Sequence, residues 1–148
     1  MSRSSDHKIA PGRSGARELA MMLFYQMEAQ NDFELEIKTT FVKENVLNKK
    51  QREYVDAMYT LLCEHLSQVD LLIERASDNW TINRIDKIDL AVLRVAVLEI
   101  MNMDDIPKPV SINEAVNVAK KYGTSDSGKF VNGILGKIDK IVNENETN

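Results

Sequence analysis

The chain contains one cysteine and two histidines among its 148 residues, and this scarcity excludes several classes of site. A lone Cys63 cannot form an intramolecular disulfide or a zinc site built from several cysteines, and it is typical of a reducing, cytoplasmic environment. Serine or cysteine nucleophiles need a nearby histidine base, and only His7 and His65 are present. We therefore expect no metal, no cofactor and no enzymatic activity, with Cys63 buried as an inert thiol in an apolar helix.

Glycine, proline and long apolar runs are also scarce. Six glycines and three prolines provide few hairpin turns, which disfavours an all-β fold. A membrane-spanning helix needs about 18 or more consecutive apolar residues. The nearest candidate, residues 90–103, is interrupted by Arg94 and Glu99, so we expect no membrane partner.

Positive charge is limited overall but concentrated at the N-terminus. The net charge of −4 argues against indiscriminate nucleic-acid binding. The first seventeen residues, however, hold Arg3, Lys8, Arg13 and Arg17 against Asp6 alone. Residues 1–13 have no apolar periodicity, so we predict a flexible basic arm.

Apolar residues elsewhere recur mostly with helical spacing. They predict an all-α protein, a compact bundle of about six to seven helices forming a single domain over residues 14–142, followed by a polar tail over 143–148. Asn48 is placed to cap the longest helix. The predicted helices cover about 14–29, 34–46, 49–76, 86–103, 111–123 and 125–142.

Local signals predict how some helices begin, end and pair. Ser111 and Glu114 have the spacing of a capping box, which predicts a helix start. Gly123 is placed for a left-handed helix end. Arg94 lies on a helix that is apolar nearly all round, and a buried guanidinium needs a carboxylate partner. We expect Glu99 or Glu114 to be that partner.

The stretch SDSGKFVNGILGKI, residues 125–138, resembles a phosphate-binding loop at first sight. Gly128 and Gly133 have the required spacing, but Ile134 and Leu135 stand where Lys and Ser/Thr are needed, and no strand precedes them. A nucleotide loop is therefore rejected. Glycine disfavours a helix interior by about 1 kcal/mol relative to alanine, so we expect close approach of another helix or of a ligand backbone here.

The same stretch places an aromatic residue between opposite charges at a helix start. Phe130 could stack on a base, Lys129 could neutralise a phosphate, and Asp126 could accept a hydrogen bond from a base edge. Single-stranded RNA is commonly bound in this way. The residues alone leave open the alternative that Phe130 simply packs at the edge of the core.

Three stretches together resemble the NusB family of bacterial transcription antitermination factors. They are ARELAMMLFYQME, IDLAVLRVAVLEI and INEAVNVAKKYGTSDSGKFVNGILGKI, and the resemblance spans about residues 13–141. It implies two packed helical subdomains without catalytic activity. It also implies binding to the boxA element of ribosomal RNA operons, as a heterodimer with the small-subunit ribosomal protein NusE, within a transcription elongation complex.

The resemblance also implies roles for particular residues. A partner-binding acid at the start of the central helix matches Asp89. The RNA-binding positions match Arg13, Arg17, Tyr25, Asp126, Lys129 and Phe130.

Ser14 and Gly15 stand where the family often carries further arginines. Fewer phosphate contacts would weaken RNA binding by the protein alone. The alternatives are therefore a protein-only helical adaptor, a homodimer that masks the arm, or the RNA-binding module of an rRNA methyltransferase. The last would require the chain to be a fragment.

Overall fold

The computed structural model describes residues 8–46 and 48–147, with side chains described as far as residue 144. Within these ranges the chain forms helices and no strand, which confirms the all-α prediction. A single 3-10 turn, Ile82–Arg84, lies between α3 and α4. The six α-helices are α1 Gly12–Gln30, α2 Leu35–Asn45, α3 Lys49–Ala76, α4 Lys87–Asn102, α5 Lys108–Tyr122 and α6 Ser127–Thr147.

Side-chain caps fix the starts of two helices. The Asn48 carboxamide oxygen accepts a hydrogen bond from the Gln51 amide, 2.9 Å away, as predicted for α3. Asp86 caps α4 by accepting from the amides of Ile88 and Asp89, at 2.9 and 3.3 Å. Such caps satisfy backbone donors that the helix itself leaves unpaired.

Helix α4 forms the centre of the molecule. Every residue from Asp89 to Ile100 is buried, and the helix contacts α1, α3, α5 and α6. A helix that is apolar nearly all round must be enclosed in this way. Large side chains from the surrounding helices complete the core, among them Leu19, Phe24, Met58, Leu62 and Leu135.

The Arg94 side chain links α4 to α1 and α3. Its guanidinium donates to both carboxylate oxygens of Asp70, at 2.9 and 2.8 Å, and to Glu28 at 2.6 Å. The predicted carboxylate pairing therefore exists, but the partners are neither Glu99 nor Glu114. Glu99 lies five positions after Arg94, a rotation of about 140° around the helix, so the two side chains leave α4 on different faces.

The predicted capping box is wrong. Helix α5 begins at Lys108, with Pro109 in its first turn, where the missing amide hydrogen costs nothing. Ser111 is buried and donates to Glu99 at 2.8 Å. Glu114 accepts a hydrogen bond from Ser14 at 2.8 Å. Both residues therefore make tertiary contacts instead of capping the helix.

Two further predictions differ from the structure at helix ends. Gly123 ends α5 in an extended conformation, with φ −93°, and not in the left-handed one. A Cβ atom at Gly123 would lie 2.3 Å from the Ser127 hydroxyl, so glycine is needed for space. Helix α6 continues to Thr147, beyond its predicted end at 142.

Cys63 is exposed, contrary to our expectation, because it lies on the outer face of α3.

Candidate nucleic-acid interface

The start of α6 presents the three residues that the sequence grouped together. Asp126 and Lys129 are exposed, while Phe130 is half-buried with part of its ring against the core. The Asp126 carbonyl accepts from the Phe130 amide at 3.0 Å, and the Asp126 amide donates to the Thr124 hydroxyl at 3.3 Å. These bonds fix the first turn, so the three side chains lie next to one another on one surface.

A groove of about 490 Å³ runs along this surface between α6 and the turn that follows α3. Sequence reasoning did not assign the turn to a site, although a lone tryptophan in a polar segment was a usable signal. The groove is lined chiefly by Ser77, Asp78, Trp80, Asp126, Lys129, Phe130, Gly133 and Lys137.

Asp89 lies behind the start of α6 with little of the residue on the surface, and its role as a partner contact stays a prediction. The residue is 7% exposed, and its carboxylate is hydrogen-bonded by Ser127. The Ser127 hydroxyl also accepts from the Thr124 amide at 2.9 Å. Burial raises the pKa of Asp89 above its ordinary value, although the Ser127 hydrogen bond lowers it. The exposed carboxylate at the start of α4 is that of Asp86.

The two arginines of α1 have opposite environments. Arg13 is exposed, with its guanidinium 5.0 Å from the centre of the Tyr54 ring. Arg17 is 6% exposed, donates to Glu99 at 2.7 and 3.1 Å, and lies 3.4 Å from Glu114. An arginine enclosed and paired in this way contributes to the core, and its role as an RNA contact stays a prediction.

Glu99 connects these arginines through one buried network. It accepts hydrogen bonds from Arg17, the Tyr54 hydroxyl and Ser111. Burial and the neighbouring Glu99 raise the pKa of Tyr54 well above its ordinary value. Because Arg13 stacks on the ring of Tyr54, the network that contains Arg17 also positions Arg13.

A second buried carboxylate holds the beginning of the described chain. Glu18 accepts from the Ala10 amide at 2.8 Å and from the Tyr122 hydroxyl at 3.0 Å, and it pairs with Lys121 at 2.5 Å. Lys121 also donates to the Lys8 carbonyl, 2.5 Å away. Residues 8–10 of the predicted arm over 1–13 are therefore fixed against the end of α5, and Gly12 and Arg13 belong to α1. Residues 1–7 of that arm lie outside the described residues.

The same contact leaves no space for a side chain at Gly15. A Cβ atom at Gly15 would lie 1.6 Å from the Ala10 carbonyl oxygen, so no side chain fits while residues 8–10 lie in this position. Tyr25 is half-buried against the core. It lies about 18 Å along α1 from Arg13 and does not line the groove. The structure therefore groups Asp126, Lys129 and Phe130 but leaves Tyr25 apart.

Among the described side chains, those of residues 8–46 and 48–144, no group of three or more His, Cys, Asp or Glu could hold a metal ion. None of the helices in this part of the chain is long and apolar enough to span a membrane.

Comparison with known proteins places this architecture in a family. The model of the NusB family matches residues 14–140. The transcription antitermination protein NusB of Acetivibrio thermocellus is 43% identical over 130 residues, which cover 88% of this chain and 90% of that protein. NusB of Ruminiclostridium cellulolyticum is 44% identical over 129 residues, covering 87% and 89%.

Solved structures agree with this assignment. NusB of T. maritima superposes with a TM-score of 0.79 at 36% identity, covering 87% of this chain and 91% of that one. A chain from the crystal structure of antitermination factors NusB and NusE in complex with double-stranded RNA gives a TM-score of 0.79 at 28% identity, covering 87% and 96%. From the family match and the relatives above 40% identity, we conclude that the chain belongs to the NusB family.

Proposed function

We propose that this protein is a non-enzymatic transcription antitermination factor that binds boxA-type single-stranded RNA of ribosomal RNA operons together with NusE. It would act in the cytoplasm as part of a transcription elongation complex. The observation that carries the proposal is the patch formed by Asp126, Lys129 and Phe130 at the start of α6. Family membership supports it, as does the complex of related proteins with RNA.

The chemistry of the patch suits an unpaired nucleotide. The exposed part of the Phe130 ring offers a stacking surface for a base. Lys129 supplies a positive charge for a phosphate, and the Asp126 carboxylate can accept hydrogen bonds from base amino groups. Asp126 and Lys129 are exposed and Phe130 is half-buried, so at least part of each side chain is accessible to a ligand.

The N-terminal residues would add phosphate contacts beside this patch. Lys121 holds the Lys8 carbonyl against the end of α5, directly before the turn that leads into α6. Lys8 is exposed there, whereas Arg13 is exposed near the start of α3, over the Tyr54 ring, and Arg17 acts only by positioning Arg13. We place the NusE-facing carboxylate at Asp86, because Asp89 is covered.

The experiment that tests the proposal is the substitution Phe130→Ala. Loss of a base-stacking contact weakens binding by about 1–3 kcal/mol, so titration of a boxA-type oligoribonucleotide, with and without NusE, should show this loss. Leu71→Ala is a matched control, since Leu71 is an exposed apolar residue on α3. Circular dichroism should show unchanged helix content in both variants. Equal RNA affinity in the wild-type and Phe130→Ala proteins would exclude a stacking role.

The second candidate function is a protein-only helical adaptor or homodimer. It is favoured by the burial of Arg17 and by the lack of space for a side chain at Gly15, which leave few cations for RNA. Gel filtration of the protein with NusE, with and without the boxA oligonucleotide, separates the two functions. A ternary complex supports the antitermination factor, whereas an elution volume indifferent to RNA supports the adaptor.

A further inference from the structure

We propose that the groove between Trp80 and Phe130 binds a second unpaired base of the same RNA strand, next to the base that stacks on Phe130. This inference rests on the proposed RNA-binding function and extends it to a surface on the turn after α3. The carrying observation is that two aromatic side chains, one on each side of a groove of about 490 Å³, lie beside the α6 patch.

Gly133 lies on the α6 side of the groove. It is inside a helix, where glycine is unfavourable, and we expected close approach of another helix or of a ligand backbone. The first alternative is wrong, because a Cβ atom at Gly133 would meet no protein atom within 4 Å. Gly128, by contrast, does face the Lys120 side chain, at 2.9 Å. The absence of a side chain at Gly133 therefore widens the groove on the α6 side.

The turn that carries Trp80 is held in an unusual conformation. Asp78 and Asn79 have φ angles of 57° and 66°, in the left-handed region that residues other than glycine adopt infrequently. The Trp80 amide donates to the Ser77 carbonyl at 3.3 Å. Trp80 remains 50% exposed, with the Arg84 guanidinium 5.4 Å from its ring centre. Asp and Asn tolerate this region better than most other residues, so the turn can present Trp80 to the groove without marked strain.

The charges around the groove favour a nucleotide over an apolar peptide. Lys129 and Lys137 can meet phosphates, while Asp78 and Asp126 can accept from the amino groups of a base. Lys137 lies 3.6 Å from Asp78, and both side chains are more than half exposed, so a ligand can replace this weak pair. A volume of 490 Å³ falls in the usual range for small-ligand sites.

A pair of glycine substitutions gives the sharpest test. Gly133→Ala and Gly136→Ala each add a methyl group that meets no protein atom within 4 Å, and each replaces glycine in a helix. Both should therefore raise the melting temperature. Only Gly133 lines the groove, so only Gly133→Ala should weaken binding of the boxA-type oligoribonucleotide, by about fivefold or more. Equal RNA affinities of the two variants would overturn the proposal.

Trp80→Ala provides a second test, with Leu71→Ala as its control. Wild-type affinity should fall when the oligoribonucleotide is shortened by the nucleotide that occupies the groove, by about fivefold to a hundredfold. Trp80→Ala should bind the full-length RNA as weakly as the wild type binds the shortened one. If Trp80→Ala lost only NusE binding, the groove would be a protein contact and the proposal would be overturned.

Phe130→Ala, measured in parallel, separates this inference from the proposed function. Weaker binding by Phe130→Ala with unchanged binding by Trp80→Ala and Gly133→Ala would overturn the groove site and leave the proposed function standing. No RNA binding by the wild-type protein, alone or with NusE, would overturn both.

Discussion

Arg17 shows how the position of one residue decides what its chemistry does. In sequence it belongs to a basic N-terminal cluster, which is typical of phosphate binding. In the structure its guanidinium is enclosed between α4 and α5 and satisfies the Glu99 carboxylate. Both charges are removed from water, so each depends on the other. Arg13, one helical turn earlier, remains available to a ligand.

We predict that Arg17→Ala destabilises the protein by about 3–5 kcal/mol, because it leaves the buried Glu99 carboxylate without its charge partner. Urea denaturation followed by circular dichroism measures this change. Arg17→Lys should recover only part of the loss, since an ammonium group cannot make the bidentate contact.

Arg13→Ala is the matched control for Arg17→Ala. It should change stability little and should reduce the salt dependence of RNA binding. An Arg17→Ala protein of wild-type stability that shows this reduced salt dependence instead would contradict the assignment of Arg17 to the core.

At the scale of helices, the candidate site is assembled from the ends of several elements. Asp89, in the first turn of α4, holds Ser127 at the start of α6, and Ser127 in turn holds the Thr124 amide. Glu18 of α1 holds the end of α5 through Lys121 and Tyr122. The surface that carries Phe130 is therefore positioned by buried polar contacts between helix ends.

Asp89→Asn should make stability less dependent on pH. Because burial raises the pKa of Asp89 in the folded protein, the folded state binds more protons than the unfolded state between the two pKa values. The free energy of unfolding of the wild type therefore falls as pH rises through that interval. The variant does not lose stability in this way. Its free energy of unfolding minus that of the wild type should therefore increase from about pH 4 upwards and then become constant.

Urea denaturation of both proteins across this pH range measures the effect. Asp104→Asn is a suitable control, since Asp104 is an exposed carboxylate beyond the other end of α4. A stability difference between wild type and Asp89→Asn that did not vary with pH would contradict the burial of a titrating carboxylate.

At the scale of the whole molecule, the charge distribution sets how RNA binding responds to salt. The net charge is −4, and the cations that we assign to RNA are Lys8, Arg13, Lys129 and Lys137. If all four meet phosphates, the slope of log K against log salt concentration should be about −3.

Addition of NusE should steepen this slope, because the partner would contribute further cations to the same strand. Titrations at several salt concentrations, with and without NusE, measure both slopes. Lys8→Ala should make each slope shallower by roughly 0.7. A slope near zero for the protein alone would show that its own cations do not meet the phosphates.

The amino-acid sequence by itself determined the helices and the surface at the start of α6. Apolar spacing gave the six helices with ends accurate to a few residues in most cases, and Asn48 correctly marked the start of α3. Asp126, Lys129 and Phe130 are neighbours in sequence, so their grouping needed only one helical turn. These features depend on local backbone geometry, which neighbouring residues specify.

Only the tertiary structure decided which polar side chains meet. Arg17 and Glu99 are 82 residues apart, and the sequence offered no reason to prefer this pair over Arg94 with Glu99. Helix packing also buried Asp89, placed Trp80 opposite Phe130 and left Gly133 facing open space. Helical periodicity shows which face of a helix is buried, but the face that it meets depends on how helices distant in the chain pack together.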